Sequence, residues 1–170
     1  MSDKKYEFTG ETKIVFGVTL KRIRAVRAIG FIAAGTLGGW ISSEANLSQV
    51  SGNAWVYGDA WVYGDAQVSG DAQVSGDARV SGDARVYGDA QVYGNARVSK
   101  PIVVATRSDG YTFTLTHQGK SAPRIAAGCR FFTMKEAREH WAWRAGTLLG
   151  AETDSILDHF ERMIAAGALK

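Results

Sequence analysis

Acid–base chemistry in this chain would have to start from three histidines, and His117, His140 and His159 all fall in the last third of the sequence. None has a partner at metal-type spacing. His140 beside Trp141 is read either as a packed helix residue or as a ligand contact. Cys129 is the sole cysteine, so no intramolecular disulfide forms, and no CxxC or paired Cys/His spacing supports zinc. No basic partner is fixed for its thiol, which favours a small packed residue over a nucleophile. Around these positions Arg107, Asp109, Tyr111, Cys129, Arg130, Phe132 and His140 combine guanidinium, aromatic and hydrogen-bonding groups. Such groups suit phosphate and base recognition, and they are equally common at protein interfaces.

Six aspartates at 59, 65, 71, 77, 83 and 89 invite a calcium interpretation. Calcium needs an oxygen-rich cage, and calcium-binding β-rolls repeat every nine residues. Here the spacing is six and each Asp follows a Gly, so backbone bonding in a turn accounts for it. No metal and no cofactor are expected.

The element that positions everything else is the repeat. Eight hexads run without a gap as VSGNAW, VYGDAW, VYGDAQ, VSGDAQ, VSGDAR, VSGDAR, VYGDAQ and VYGNAR. Valine recurs every sixth residue from Val50 to Val98, and alanine precedes each later valine by two. Side chains alternate along a strand, so Ala and Val share one face and their neighbours the other. Gly and Asp supply the turn. Six residues of strand plus turn are too few for a hairpin meander, but three such units close one triangular coil.

The pattern resembles the hexapeptide-repeat family of left-handed parallel β-helices, although the glycine stands two places after the aliphatic residue rather than directly after it. Burying one valine stabilises by roughly 1.5–3 kcal/mol, whereas fixing six backbones costs on the order of 6–12 kcal/mol. A lone hexad is therefore unstable. Stacked coils need capping and lateral partners.

Three hexads per coil place residues 18 apart in a stack: Trp55 over Gln73 and Gln91, Trp61 over Arg79 and Arg97, Gln67 over Arg85. Arg79 and Arg97 thereby join the candidate ligand contacts. Trp55, Tyr57, Trp61 and Tyr63 would leave the first coil of a monomer strongly apolar. Either a flanking block or a threefold subunit interface covers them.

Residues 1–49 form an expected N-terminal β cap, with strands near Lys13–Val18 and Leu20–Val26. In KRIRAVR the bases Lys21, Arg22, Arg24 and Arg27 lie either on a solvated strand face beside buried Ile23 and Val26 or in an anion site. The β-helix spans 50–100, and 101–170 reads as an α+β domain, making the whole chain mainly β. Pro101 stops the repeat. Strands are expected at Ile102–Thr106, Tyr111–His117 and Arg124–Cys129. The capping box Thr133-Met134-Lys135-Glu136 opens a helix to about Ala145, and a second runs from Thr153 to about Ala166 with Ile156, Leu157, Phe160, Met163 and Ile164 on one face.

Charge is spread unevenly. Residues 1–49 carry seven Lys/Arg against four acids, 50–99 three against six, and 100–170 ten against seven. A formal net charge of +3 without a concentrated basic face argues against duplex nucleic acid as a partner. The longest apolar run, Gly30–Ile41, covers about 12 residues, short of the ~20 a membrane helix needs. The polar N-terminus lacks a secretory core, so a cytoplasmic location is expected.

Taken together, TLKRIRAVRAIG, GTLGGWISSEANLSQVSGNAWVYGDAWVYGDA, RSDGYTFTL and RIAAGCRFFTMKEAREHW resemble phage and prophage hexapeptide-repeat proteins of poorly assigned function. The resemblance implies a viral origin, action inside the infected host cell and a role in managing that host. Hexapeptide acyltransferases and carbonic anhydrases, by the same kind of resemblance, place histidines on or beside their coils. No histidine lies between 50 and 99, and no loop interrupts the coils. The leading expectation is a non-enzymatic homotrimer holding a small nucleotide-like ligand in clefts between subunits. A protein-binding inhibitor of host defence or a virion structural part comes second, and an acyltransferase-like enzyme third.

Overall fold

A computed structural model describes residues 4–50, 52–100, 103–116, 122–128 and 130–167. The chain is mainly β, a β-solenoid of about three turns followed by a smaller β-sheet that carries the helices.

The first hairpin pairs β1 (Tyr6–Val15) with β2 (Val18–Ala25) antiparallel. Its two-residue turn is Phe16-Gly17, both left-handed at φ 50° and 77°. That is the backbone a tight hairpin demands, and it ends β1 at Val15 rather than at the expected Val18. The register breaks between Phe8 and Thr12, around Gly10, so the distal half of the hairpin bends away from the proximal half. Val26 lies beyond β2 and is exposed, contrary to expectation, whereas Ile23 is fully buried.

β3 (Leu37–Ile41) pairs antiparallel with β2 on one side and parallel with a solenoid strand on the other. Eight two-residue strands follow, one per hexad: β4 (Trp55–Val56), β5 (Trp61–Val62), β6 (Gln67–Val68), β7 (Gln73–Val74), β8 (Arg79–Val80), β9 (Arg85–Val86), β10 (Gln91–Val92) and β11 (Arg97–Val98). They stack as β5-β8-β11, β4-β7-β10 and β6-β9, each pair 18 residues apart as expected, and β3 joins the first column with Trp40 beside Trp61, 21 residues on. Valines 56 to 98 and alanines 54 to 96 of the repeat are all buried along the axis. Val50, the first valine of the pattern, is exposed and stands outside the coils.

Glycine is required at the turns for two separate reasons. Gly70 has φ +68°, and a Cβ built on it would lie 2.9 Å from the Gly88 nitrogen of the next coil. Left-handed backbone and axial contact thus coincide at one position.

After the solenoid, β12 (Val103–Thr106), β13 (Thr112–Thr116), β14 (Arg124–Ala127) and β15 (Arg130–Phe132) form an antiparallel meander. Pro101, His117 and Cys129 lie outside the described residues, and β15 was not foreseen. Helix α1 (Met134–Trp141) starts at the expected capping box, the Thr133 hydroxyl accepting from the Glu136 amide. It ends at Trp141 and gives way to a 3-10 turn over Ala142–Arg144. Helix α2 (Leu148–Ala165) begins five residues before Thr153 because the Thr147 hydroxyl accepts from the Gly150 amide and caps it there. Gly150 does not break this helix. Its missing Cβ leaves room for the Arg144 carbonyl, which would sit 2.1 Å from such an atom. Leu157 and Phe160 bury the apolar face of α2 against Phe113, Leu115, Ile125 and Trp141. Val104 and Phe131 pack on the solenoid core, and the Tyr93 hydroxyl donates to the Arg130 carbonyl at 2.7 Å.

Candidate functional site

Each hexad presents outward the residues before and after its valine, with the Gly-Asp turn exposed at the corner, and only the former pair differs much from coil to coil. On the β5-β8-β11 flank they place Trp61, Arg79 and Arg97 in one column. Adjacent strands lie about 4.8 Å apart, and two like charges directly opposite one another are destabilising. Neither arginine makes an ion pair among the described residues. Arg79 instead lays its guanidinium 4.2 Å from the Trp61 ring centroid.

The bent hairpin completes this flank. Lys13 of β1 holds its ammonium between two indoles, 4.1 Å from the Trp40 centroid and 4.6 Å from that of Trp61. Burial holds the Lys13 amine below its usual range, Asp59 opposes this, and Arg22 and Arg79 reinforce it. The result is an alternating file of Arg22, Trp40, Lys13, Trp61, Arg79 and Phe16, each cation within 6.0 Å of the rings beside it. Stacked contacts of this kind fasten the hairpin to the solenoid. A hollow remains, lined by Lys13, Asp59, Trp61, Asp77 and Arg79. The indole N–H of Trp61 is buried there without an acceptor among the described residues.

The other bases of KRIRAVR take the solvated-face option in part. Arg24 pairs with Glu7, Arg22 reaches Glu11 at 3.5 Å, and Lys21 sits 5.0 Å from the Phe8 ring.

The first-coil aromatics divide. Trp55 is fully buried inside the chain, its ring 6.3 Å from that of Tyr6 in an edge contact. It therefore does not offer a subunit interface, because the N-terminal residues already cover it. Tyr57, Trp61 and Tyr63 remain half-buried. Burial raises the pKa of the Tyr57 hydroxyl above its usual range.

The C-terminal set is brought together only in part, and for packing. Arg107 is 4% exposed. Its Nε and Nη2 donate to the two oxygens of Asp109 at 2.9 and 2.6 Å, and its Nη1 donates to the Thr153 hydroxyl at 3.0 Å. The Asp109 carboxyl, held chiefly by that guanidinium and also by the Tyr111 amide, has its pKa lowered to about 2. Tyr111 stacks 5.1 Å from Arg107 and 5.3 Å from Phe113. These three residues latch the β12–β13 turn to α2, which overturns the expectation of a free arginine at position 107. Phe132 is buried, with its ring 4.9 Å from His140, and His140 is itself 4.8 Å from Trp141. Arg107 and His140 border different hollows, and Arg130 is exposed with its backbone serving Tyr93. No group of three or more metal-ligating side chains occurs among the described residues. Asp71 accepts from the Asn53 amide and side chain at 2.9 and 2.8 Å, a tie between successive coils rather than within its own turn.

Lys13, Trp40 and Phe16 were missed as site residues, since no periodicity announces that a bent hairpin will reach the solenoid flank. The one available signal was the positive-φ requirement of a Phe-Gly turn between two alternating stretches.

No helix is long and apolar enough to cross a membrane. No curated protein matches the chain. Over residues 48–64, 72–88 and 90–101 the chain is similar to the YdcK β-solenoid repeat.

Proposed function

We propose that the protein is a non-enzymatic binding protein, and that its β5-β8-β11 flank takes a small nucleotide-like ligand. The observation that carries this reading is the Arg79–Arg97 pair, two cations on adjacent strands beside the Trp61 ring with no ion-pair partner among the described residues. A phosphate would relieve their repulsion through charge-assisted hydrogen bonds. Asp59 and Asp77 in the hollow beside Arg79 suit ribose hydroxyls. In this proposal the solenoid is left-handed, built of hexapeptide coils, and capped by residues 1–49. Three chains associate through the outward first-coil residues Tyr57, Trp61 and Tyr63, leaving the ligand in a cleft between subunits. The setting is a phage-type protein in the host cytoplasm, sequestering a signal of host immunity.

Calorimetry with cyclic and ADP-ribose-type nucleotides tests the reading. Saturable binding is expected, with the ligand recovered chemically intact after heating, and light scattering is expected to give about three times the 18.3 kDa chain mass. Arg97→Glu is expected to abolish binding without unfolding, because Arg97 is exposed. Absence of binding across the panel overturns the nucleotide reading, a stable monomer overturns the trimer, and turnover of the ligand would point to an enzyme. A second reading, a protein-binding inhibitor or virion part, is favoured by Trp143 and Leu148, each 72% exposed beside α2. Retention of a defined host protein by the wild type and its loss in Trp143→Ser would select that reading.

A further inference from the structure

The three flanks of the solenoid are not equally covered. Trp55 on the β4-β7-β10 flank lies under Tyr6, and the β5-β8-β11 flank lies under the bent hairpin. On the β6-β9 flank the N-terminal residues reach only the upper rim, where Leu47 bridges Val68 and the Asn46 side chain donates to the Gly64 and Ala66 carbonyls. Below that rim runs an open groove of ≈ 680 Å³ lined by Gln67, Ser69, Asp83, Arg85 and Tyr87. This volume falls within the range of small-molecule sites.

Two residues of this groove lack an internal duty. Arg85 is exposed and makes no ion pair among the described residues. Tyr87 is 51% exposed, the repeat tyrosine most open to solvent. By contrast Tyr93 stacks on Phe131 and Tyr57 packs on the core. Serine follows the repeat valine at five other places, 51, 69, 75, 81 and 99, so the coil does not need a ring at 87. The hexad junction Arg85-Val86-Tyr87 is also the one place in the repeat where arginine and tyrosine flank the same valine.

We propose that this groove binds an anionic monosaccharide, a sugar acid or a sugar phosphate. Arg85 and Tyr87 point outward from the same strand, about 6.7 Å apart at ~3.3 Å per residue. That spacing lets a pyranose lie with its C–H face on the Tyr87 ring while its carboxylate or phosphate reaches the guanidinium. Gln67, opposite Arg85 in register, Ser69 beside it and Asp83 one turn back supply donors and acceptors for the rim hydroxyls. A nucleobase suits the groove less well. A base can stack on one ring, but the polar surround of Gln67, Ser69 and Asp83 matches the several hydroxyls of a sugar better than the edge of a base. The site shares no residue with the Arg79–Arg97 column and stands independently of the nucleotide reading.

Saturation-transfer NMR titrations of the full chain with glucuronate, glucose 6-phosphate and glucose test the proposal. Saturable binding of at least one anionic sugar is expected, with an affinity on the order of millimolar for so open a site. Glucose is expected to bind about tenfold more weakly, the loss of one charge-assisted contact. Tighter glucuronate would assign a carboxylate ligand and tighter glucose 6-phosphate a phosphate, and either supports the site. Arg85→Gln should bring the anionic sugars to the level of glucose, Tyr87→Ser should weaken all three, and Gln91→Glu, on the β4-β7-β10 flank, should change nothing. All three changes are at exposed positions, and an unaltered far-UV spectrum shows that the coils persist. Lack of a saturable signal from both anionic sugars overturns the proposal. So does an anionic preference that survives Arg85→Gln, or one that disappears in Gln91→Glu.

Discussion

Gly70 and Gly88 occupy the same turn position on successive coils and have nearly the same backbone, φ +68° and +62°. Their surroundings differ. A Cβ on Gly70 would lie 2.9 Å from the Gly88 nitrogen and 3.2 Å from its Cα, whereas a Cβ on Gly88 would meet nothing within 4 Å. Alanine at either site incurs the left-handed backbone penalty of roughly 1–2 kcal/mol and restricts the unfolded chain to a similar degree. Only Gly70→Ala adds overpacking, typically about 1–3 kcal/mol. The atoms it meets are backbone, so the coils themselves must separate, lengthening the bonds from the Asp71 amide to the Gly88 carbonyl and from the Gln73 amide to the Ala90 carbonyl, 3.0 and 2.9 Å. Gly70→Ala is therefore expected to lose about 2–5 kcal/mol in total and Gly88→Ala about 1–2 kcal/mol. In thermal melts followed by far-UV dichroism the gap amounts to about 2–12 °C for a chain of this size. Equal losses, or a larger loss for Gly88→Ala, would refute the idea that axial contact, and not turn conformation alone, selects glycine in this solenoid.

Two further outcomes follow from the burial pattern and the latch. Val74→Asp, in the middle of the fully buried valine column, should unfold the coils, since an unpaired charge there has no partner and no water; a native far-UV spectrum for this variant would contradict the axial core. The Asp109 carboxyl is depressed to about 2 by Arg107, so its contribution is present above the ordinary carboxylate value and is lost as pH falls from about 4 toward 2. Urea midpoints of the C-terminal region measured across that window should decline, and Asp109→Asn should flatten the decline without erasing it, because Glu136 is depressed in the same direction by Thr133.

The repeat was legible because a strict six-residue period admits only one assignment of inward and outward faces. Val56 to Val98, and the stacking of Trp61 on Arg79 and Arg97, follow from that period alone. Val50 obeys the period and still lies outside, since Leu47 takes the place beside Val68 that the 18-residue stacking assigns to it. The start of α2 was misplaced because Gly146 and Gly150 look like helix breakers, whereas Thr147 caps the helix and Gly150 permits a close approach to the Arg144 carbonyl. Arg107, in the candidate ligand set of the C-terminal region, is less open than its residue type suggests for a similar reason. Residue type suggests a phosphate contact, but Thr153, 46 residues away, closes the guanidinium's coordination from α2. Contacts of that separation leave no periodic trace.

A division of labour between the interior and the surface explains why function is harder to see than fold in this chain. Interior Val and Ala and the Gly-Asp turns vary little from coil to coil, so their repetition carries architecture and distinguishes no flank. Variation between flanks is confined to two strand positions per hexad, and exchange there is nearly free of stability cost, commonly within about 0.5 kcal/mol. An outward residue that merely solvates its flank can therefore be serine or glutamine, as it is at Ser75, Ser81, Gln73 and Gln91. Where the surface departs from those choices without an internal partner, as at Arg97 and at Arg85 with Tyr87, folding supplies no reason for the departure. The proposed binding would supply one, and the two flanks differ enough in charge and cover that the proposals assign them separate ligands.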